Sequence, residues 1–182
     1  IGLAAGEPPT TKGYPPSVFA LLPGLLERTG THDGPGSITG FYTVLVEGDY
    51  ANDPIADAIR AIVDGHIILS REIAEKGTYP AVDLLSSTSR VMVDVVGEKH
   101  LELNQIMRRT LATYREAEDL INIGAYVQGS NPEIDYAITK KPLIQKFIQQ
   151  GMNEHTALSE CVDRLQQIFG DSLEGSNFTE EI

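Results

Sequence analysis

The sequence predicts an α/β segment that leads into an all-helical bundle, and two changes in residue pattern support this fold class. Three runs are predicted to be strands: Ser37–Glu47, which is rich in β-branched and aromatic residues, and the shorter runs His66–Ser70 and Pro80–Leu85. Helical patterns alternate with these runs, which favours a mostly parallel sheet. After Gly97 only helical spacing remains. We therefore divide the chain into an α/β part at residues 1–98 and a helical domain with an acidic tail at residues 99–182.

The first helix is predicted to follow an irregular loop. Residues 1–16 are rich in glycine and proline, which favours a loop. Ser17 can cap a helix whose apolar positions are Val18, Leu21, Leu22, Leu25 and Leu26. Pro23 lies inside that pattern, so we expect a kink there.

A second helix start is stronger, because Asp53 can accept backbone hydrogen bonds and Pro54 suits the first helical position. The apolar face of this helix is formed by Ile55, Ile59, Ile62 and Val63. Gly65 is predicted to end it. A short helical turn is expected at Arg71–Lys76.

The second half predicts three helices. A helical stripe runs from Leu103 to Ile121, and the sequence Gly129–Pro132 ends it. The next helix is predicted to be interrupted at Pro142, and a third spans Asn153–Phe169. The polar, acidic stretch from Gly170 to Ile182 is expected to fray.

Composition limits the possible functions. Of 182 residues, 41% are hydrophobic and 22% charged, as in soluble globular proteins, and no run of about 18 apolar residues predicts a membrane span. The net charge of −12 repels nucleic acid and argues against a translocase acting on it. One cysteine, Cys161, excludes an internal disulfide and fits a reducing compartment. Because the chain starts at Ile1, we expect it to be a fragment or a processed product.

Motifs for phosphate, metal or nucleophilic chemistry are weak. The sequence has no Gly-x-x-x-x-Gly-Lys-Ser/Thr phosphate loop. The glycine-rich stretch from Gly6 has prolines that remove the N–H donors of such a loop, and the stretch from Gly30 to Ser37 has no lysine. The histidines His32, His66, His100 and His155 have no zinc-ligand spacing. We predict no metal ligand in this chain.

Tyr79 and Arg90 are the residues that best suit a nucleotide. Tyr79 lies at a loop edge, where its ring could stack on a base. Arg90 follows small hydroxyl residues, and its charged, forked guanidinium suits an exposed phosphate. Spacing alone leaves both alternatives open, since a rim tyrosine and a surface ion pair would have the same pattern.

Four stretches together resemble a known family. They are Gly6–Pro23, Gly36–Thr39, Asn52–Ala56 with Asp64–Arg71, and Tyr79–Met92. Their order is similar to that in the type III secretion ATPases, most of all the flagellum-specific members, and more distantly to the catalytic subunit of rotary ATP synthases. The resemblance covers nearly the whole chain. It implies the C-terminal part of a RecA-like, mostly parallel sheet followed by the C-terminal helical domain, with the phosphate loop upstream of Ile1.

The resemblance also implies roles for individual residues. Arg90 matches the arginine finger, which reaches into the neighbouring subunit's site, and Tyr79 matches the tyrosine that stacks on adenine in its own subunit. Met152 stands near the position of a second adenine-facing aromatic in the ATP synthase catalytic subunit. ATP and Mg²⁺ would be bound mainly by upstream residues.

Partners and location follow from the same resemblance. It implies a cytoplasmic, homohexameric ring at the export apparatus that hydrolyses Mg-ATP and energises the unloading and export of substrates. It would contact a central stalk, export chaperone–substrate complexes and the export gate, and neither bind nucleic acid nor enter the membrane. The loop Glu47–Asp53 would face the central shaft, the turn Gly124–Asp135 would engage the stalk, and the opening proline-rich loop would line the pore.

Two other functions remain open at this point. The chain could act chiefly as a non-catalytic interaction platform for the stalk and chaperones, because without a phosphate loop it should not hydrolyse ATP alone. It could also be a catalytic-type subunit of a rotary ATP synthase, although the divergent segment at Met152 disfavours this.

Overall fold

A computed structural model describes residues 2–31, 33–46 and 53–176. Contacts divide the chain into two compact units, Ile1–His66 and Ile67–Ile182. The helices are α1 (Pro16–Leu26), α2 (Pro54–Ile62), α3 (Arg71–Glu75), α4 (Met92–Val95), α5 (Glu98–Asn122), α6 (Pro132–Ile148) and α7 (Leu158–Ser176). The strands are β1 (Gly30–Thr31), β2 (Ser37–Ile38), β3 (Gly65–His66) and β4 (Thr88–Ser89). No helix of the described residues is long and apolar enough to cross a membrane.

Helix α1 begins differently from the prediction. Ser17 does not cap it; the helix begins at Pro16, and the backbone N–H of Ser17 donates to Glu7 Oε2 at 2.9 Å. A proline at the first turn needs no N–H partner, so a carboxylate from an earlier loop can satisfy the next donor. The helix continues past Pro23 to Leu26.

The predicted start of α2 is confirmed. Asp53 Oδ1 accepts the N–H groups of Ile55 and Ala56 at 2.9 and 3.0 Å. The backbone hydrogen bond from Ala56 is the main cause that lowers the pKa of Asp53, and Lys12 Nζ lies 3.5 Å from the carboxylate. The helix ends at Ile62, before Gly65, because Val63 is already extended.

The long strand predicted at Ser37–Glu47 is mostly absent from the described residues. Only Ser37 and Ile38 pair, antiparallel to β1. Residues 39–46 have no regular secondary structure, and Phe41 and Leu45 are 91% and 92% exposed. A strand propensity is expressed only where a neighbour accepts the backbone hydrogen bonds and covers one face.

In the second unit, the predicted strands His66–Ser70 and Pro80–Leu85 meet over a few residues. Leu69 bridges Val82 in antiparallel fashion, the N–H of Ser70 donates to Ala81 O at 2.8 Å, and that of Asp83 donates to Ile68 O at 2.9 Å. Helix α3 lies between the two segments along the chain, as predicted. The pairings described within each unit are antiparallel, so the fold is mixed, with helices and small sheets.

Helices α5, α6 and α7 pack around one apolar core. Its buried members are Leu103, Met107, Ile144, Leu165 and Phe169. The stripe predicted from Leu103 is confirmed, since Leu103, Met107, Thr110 and Ala117 are buried along α5. The packing of three helices on each other stabilises lengths that local propensity alone would not.

Three predictions about helix extent are wrong in this bundle. Helix α6 is not interrupted at Pro142 but continues to Ile148. Burial of Ile144, which is 1% exposed, offsets the roughly 3 kcal/mol that an internal proline costs. Helix α7 begins at Leu158 rather than Asn153 and extends past Gly170 to Ser176, because fully buried Phe169 holds its last turns. Residues 177–182 lie outside the described residues.

Candidate nucleotide-facing site

A cavity of about 760 Å³ lies in the second unit beside Tyr79. We call it the Tyr79 cavity. Its lining residues are Gly77, Tyr79, Leu143, Lys146, Phe147, Gln149, Gln150, Gly151, Glu154, Arg164, Gln167 and Ile168. They come from the loop after α3, the end of α6 with the segment that follows it, and α7. Half of these residues are polar or charged, and two aromatic and two aliphatic side chains stand among them, so the cavity can take a small ligand that has both a flat apolar face and polar edges.

Tyr79 reaches the cavity because α3 ends sharply. Gly77 adopts a positive φ of 72°, the conformation that terminates a helix, and the N–H of Thr78 bonds back to Ile73 O at 3.2 Å. The next residue, Tyr79, is 59% exposed and precedes a cis peptide bond to Pro80. Its ring is therefore available to a ligand.

The opposite wall is formed by the end of α6. Phe147 lines the cavity and also packs against the apolar core of the bundle. The N–H of Gln150 donates to the carbonyl oxygen of Tyr79 at 3.0 Å and joins the two walls. No role was predicted for Phe147 from the sequence. Its helical spacing from Ile144 was the available signal that its ring would lie near the core.

A polar rim surrounds the segment after α6. Glu154 Oε2 accepts the N–H of Gly151 at 3.0 Å, and Gln150 Nε2 donates to Glu154 O at 2.9 Å. Arg164 Nη1 lies 3.9 Å from Glu154 Oε1, and its Nη2 bonds Glu160 Oε1 at 2.6 Å. These contacts hold the segment in one turn while leaving polar groups at the cavity edge.

Met152 does not line this cavity. Its side chain is fully exposed, at 102% of the reference area. The assignment of Met152 to the adenine side stays a prediction. Phe147, by contrast, does line the cavity.

Arg90 follows β4 and is exposed. We call residues 83–90 the finger segment. Asp83 begins it with a turn in which Oδ1 accepts the N–H groups of Leu85 and Ser86, at 3.0 and 3.2 Å. Arg115 Nη2 also lies 3.0 Å from Asp83 Oδ1. Burial alone would raise the pKa of Asp83, but hydrogen bonds from Ser86 and Arg115 together outweigh it and lower the pKa.

The helical domain holds the finger segment by a second contact. Arg108 of α5 donates from Nη1 to the carbonyl oxygens of Leu84 and Ser87, at 2.6 and 3.1 Å. Its Nη2 donates to Leu85 O at 3.0 Å. The role of Arg108 could not be predicted from the sequence, because nothing in local spacing shows that a helical arginine reaches a loop more than twenty positions earlier.

The other candidates are placed as follows. The turn Gly124–Asp135, which we call the tip, is ordered: Tyr126 Oη lies 2.9 Å from Asp135 Oδ1, and the N–H of Gly129 donates to Asp135 Oδ2 at 2.8 Å. Ile123 and Val127 beside these contacts are 75% and 71% exposed. Of the loop predicted to face the shaft, only Asp53 is described; the rest, and His32, lie outside the described residues. The described residues contain no group of three His, Cys, Asp or Glu that could hold a metal ion.

Comparison with known proteins defines the class. Residues 1–89 match the model of the ATP synthase alpha/beta family, nucleotide-binding domain. Residues 96–167 match that of the T3SS EscN ATPase C-terminal domain. The flagellum-specific ATP synthase of Bacillus subtilis is 55% identical over 94% of this chain and 39% of its own length.

Solved structures agree with these matches. The assembled ATPase EscN of the enteropathogenic E. coli type III secretion system is 48% identical, with a TM-score of 0.88 over 92% of this chain and 40% of its own. EscN in complex with its central stalk EscO is similar, at 46% identity and a TM-score of 0.80 over 92% of this chain and 39% of its own. Over most of its length the chain is similar to the type III secretion ATPases. It spans about two fifths of the length of these relatives.

Proposed function

We propose that this chain supplies the C-terminal part of a Mg-ATP-hydrolysing protein-export ATPase. The observation that carries the proposal is the Tyr79 cavity, where an exposed tyrosine ring and Phe147 flank a space suited to a purine. Flat aromatic faces bind a base by stacking, and the polar rim can accept or donate hydrogen bonds at its edge. The names of the relatives, a flagellum-specific ATP synthase and the ATPase EscN, support ATP as the nucleotide.

The residues present fit the adenine end of ATP and not its phosphates. The chain has no phosphate-loop sequence. Residues in other parts of the full-length protein would therefore hold Mg²⁺ and the phosphates of ATP. The nucleotide itself would supply the phosphoryl group that is transferred. We expect the chain by itself to be inactive in hydrolysis. Met152 would take part only if its segment moved toward the cavity.

Arg90 serves in this proposal as an arginine finger in trans. An exposed guanidinium at the end of a braced segment can reach a neighbouring subunit, where it would stabilise the charge on the transferring γ-phosphoryl group. This requires a ring in which each site is completed by the next subunit, and we propose a homohexamer. The similarity to the assembled ATPase EscN supports an oligomer.

The wider setting is proposed from the same family. The first unit would complete a RecA-like, mostly parallel sheet with strands from the rest of the protein, which would cover Phe41 and Leu45. The ring would act in the cytoplasm at the export apparatus, with export chaperone–substrate complexes and the export gate as partners. The opening proline-rich loop and the loop Glu47–Asp53 would line its centre.

Substitution of Arg90 in the full-length protein tests the catalytic proposal. Arg90→Ala should lower kcat by roughly 10³–10⁵-fold while ATP still binds, because a finger contributes mainly in the transition state. Arg90→Lys, which keeps the charge and loses the fork, should recover little activity. Steady-state kinetics and equilibrium ATP binding measure the two effects. A normal kcat with a raised KM would overturn the assignment.

Stalk docking is a second candidate function for the helical domain, and the tip favours it. Hydrogen bonds to Asp135 hold this turn in one shape, while Ile123 and Val127 remain exposed. A rigid turn with exposed apolar side chains is suited to binding another protein. EscN has been solved with its central stalk EscO, which supports a stalk subunit as the partner.

A further inference from the structure

Arg108 contacts the finger segment through backbone atoms alone. Its guanidinium donates to the carbonyl oxygens of Leu84, Leu85 and Ser87, at distances from 2.6 to 3.1 Å. The last of these carbonyls lies only a few positions before Arg90. Because a guanidinium is rigid and planar, three carbonyls bound to it are fixed relative to one another and to helix α5.

A second set of bonds also fixes this segment. The N–H of Ser87 donates to Asp83 O at 3.0 Å, and Ser87 Oγ accepts the N–H of Ile68 at 2.9 Å. Asp83 in turn is paired with Arg115, also on α5. The finger segment and the helical bundle belong to the same compact unit, Ile67–Ile182.

We infer that Arg108 is a positioning residue for Arg90, an inference that rests on the proposed role of Arg90 as a finger. Through these hydrogen bonds, Arg108 ties the backbone just before Arg90 to helix α5. The helical domain then sets the position of Arg90. A movement of that domain in one subunit would shift the Arg90 guanidinium within the nucleotide site of the neighbouring subunit. Arg108 touches no nucleotide; it acts through the geometry of Arg90.

The kinetic consequence follows from how steeply catalysis depends on position. A displacement of about 1 Å in a catalytic group can lower the rate by about 100-fold, whereas binding of the substrate to the other subunit's half-site is unaffected. Arg108→Gln in the full-length protein should therefore lower kcat by about 10- to 100-fold with little change in the ATP dissociation constant. Arg108→Lys, which keeps the charge but cannot span three carbonyls, should be intermediate.

The matched control is Arg109→Gln. Arg109 is the next residue on α5 and is exposed, so its removal changes the net charge equally. We expect nearly normal kcat for this variant. Thermal unfolding of all variants separates loss of fold from loss of positioning, and Arg108→Lys keeps the test available if Arg108→Gln does not fold.

Mixed rings distinguish a positioning role from a merely structural one. Subunits with Tyr79→Ala have a weakened own site and a sound finger, whereas subunits with Arg108→Gln should have a sound own site and a misplaced finger. At an ATP concentration too low for the Tyr79→Ala site to fill, an equal mixture should restore activity at about a quarter of the interfaces, namely those that join a sound site to a sound finger. Mixing Arg108→Gln with Arg90→Ala should restore none, since both lack a working finger.

The outcomes separate this inference from the proposed function. One outcome would overturn the positioning role of Arg108. It is that mixed rings of Arg90→Ala and Tyr79→Ala regain ATPase activity, whereas mixed rings of Arg108→Gln and Tyr79→Ala do not. Recovery between Arg108→Gln and Arg90→Ala would overturn it as well. If Arg90→Ala and Tyr79→Ala fail to restore each other, the trans finger itself is wrong.

Discussion

The backbone N–H of Gln150 donates a 3.0 Å hydrogen bond to the carbonyl oxygen of Tyr79. The bond joins the loop after α3 to the segment after α6, and the cavity lies between them. Because this bond uses only main-chain atoms, it holds the backbone of Tyr79 in place and leaves the aromatic ring exposed. The arrangement resembles a site preorganised for a flat ligand.

Removal of the Tyr79 ring should weaken ATP binding by the full-length protein. Stacking of a base on an aromatic ring contributes about 1–3 kcal/mol, so Tyr79→Ala should raise the dissociation constant about 5- to 150-fold. Tyr79→Phe keeps the ring and should bind nearly as well. Titration with a fluorescent ATP analogue measures the difference, and unchanged affinity in Tyr79→Ala would contradict the adenine role.

Phe147 should contribute to both affinity and stability. Phe147→Ala removes part of the cavity lining and part of the contact with the core. It should lower the free energy of unfolding by about 1–3 kcal/mol, which is less than for a fully buried ring. It should also weaken ATP binding. Phe147→Leu retains much of the packing and should lose mainly affinity.

The control for Phe147 is Phe169→Leu, which alters a fully buried ring that does not line the cavity. It should lower the melting temperature without changing ATP affinity. Equal losses of affinity in the two leucine variants would show that Phe147 acts only through the fold.

Acid should weaken the turn that begins the finger segment. The pKa of Asp83 is lowered in the folded protein from its usual value of 3.8, so its ionised form stabilises the fold. That contribution is complete above pH 3.8 and is lost as the pH falls through the lower folded pKa.

Asp83→Asn should therefore be less stable than the parent near neutral pH, by about 1 kcal/mol, and the difference should shrink toward acid. Thermal unfolding across this range measures it. Glu116→Gln, at an exposed acid on α5, is the matched control and should show no such narrowing. A constant difference for Asp83→Asn would mean that its charge contributes nothing.

Disruption of the tip should weaken stalk binding. Asp135→Ala removes the acceptor for Tyr126 and Gly129, and should lower the affinity for the stalk subunit about tenfold as the turn loses its shape. Glu133→Ala removes an exposed acid in the first turn of α6 and serves as the control. Surface-bound stalk protein provides the measurement. If both variants bind the stalk subunit as tightly as the parent protein does, the tip is not the docking surface.

Local chemistry explains which elements could be predicted. Asp53 begins α2 because its carboxylate and Pro54 are adjacent in the chain, and no distant residue is needed. Asn131 and Pro132 begin α6 by the same local chemistry, although the sequence prediction took this stretch only as the break that ends the preceding helix. The strand at Ser37–Glu47 could not be predicted correctly, because a strand needs a partner and its propensity does not say where one lies.

By itself, the sequence determined the start of α2, the apolar stripe of α5 and, through its resemblance, the family to which Tyr79 and Arg90 point. The tertiary structure alone decided that Phe147 faces the cavity with Tyr79, that α6 continues through Pro142, and that Arg108 holds the finger segment. The physical reason is the separation of the contacting residues along the sequence. Helix caps and apolar stripes depend on neighbours a few positions apart, whereas these contacts join residues far apart in the chain. Only the packing of α5, α6 and α7 brings them within bonding distance.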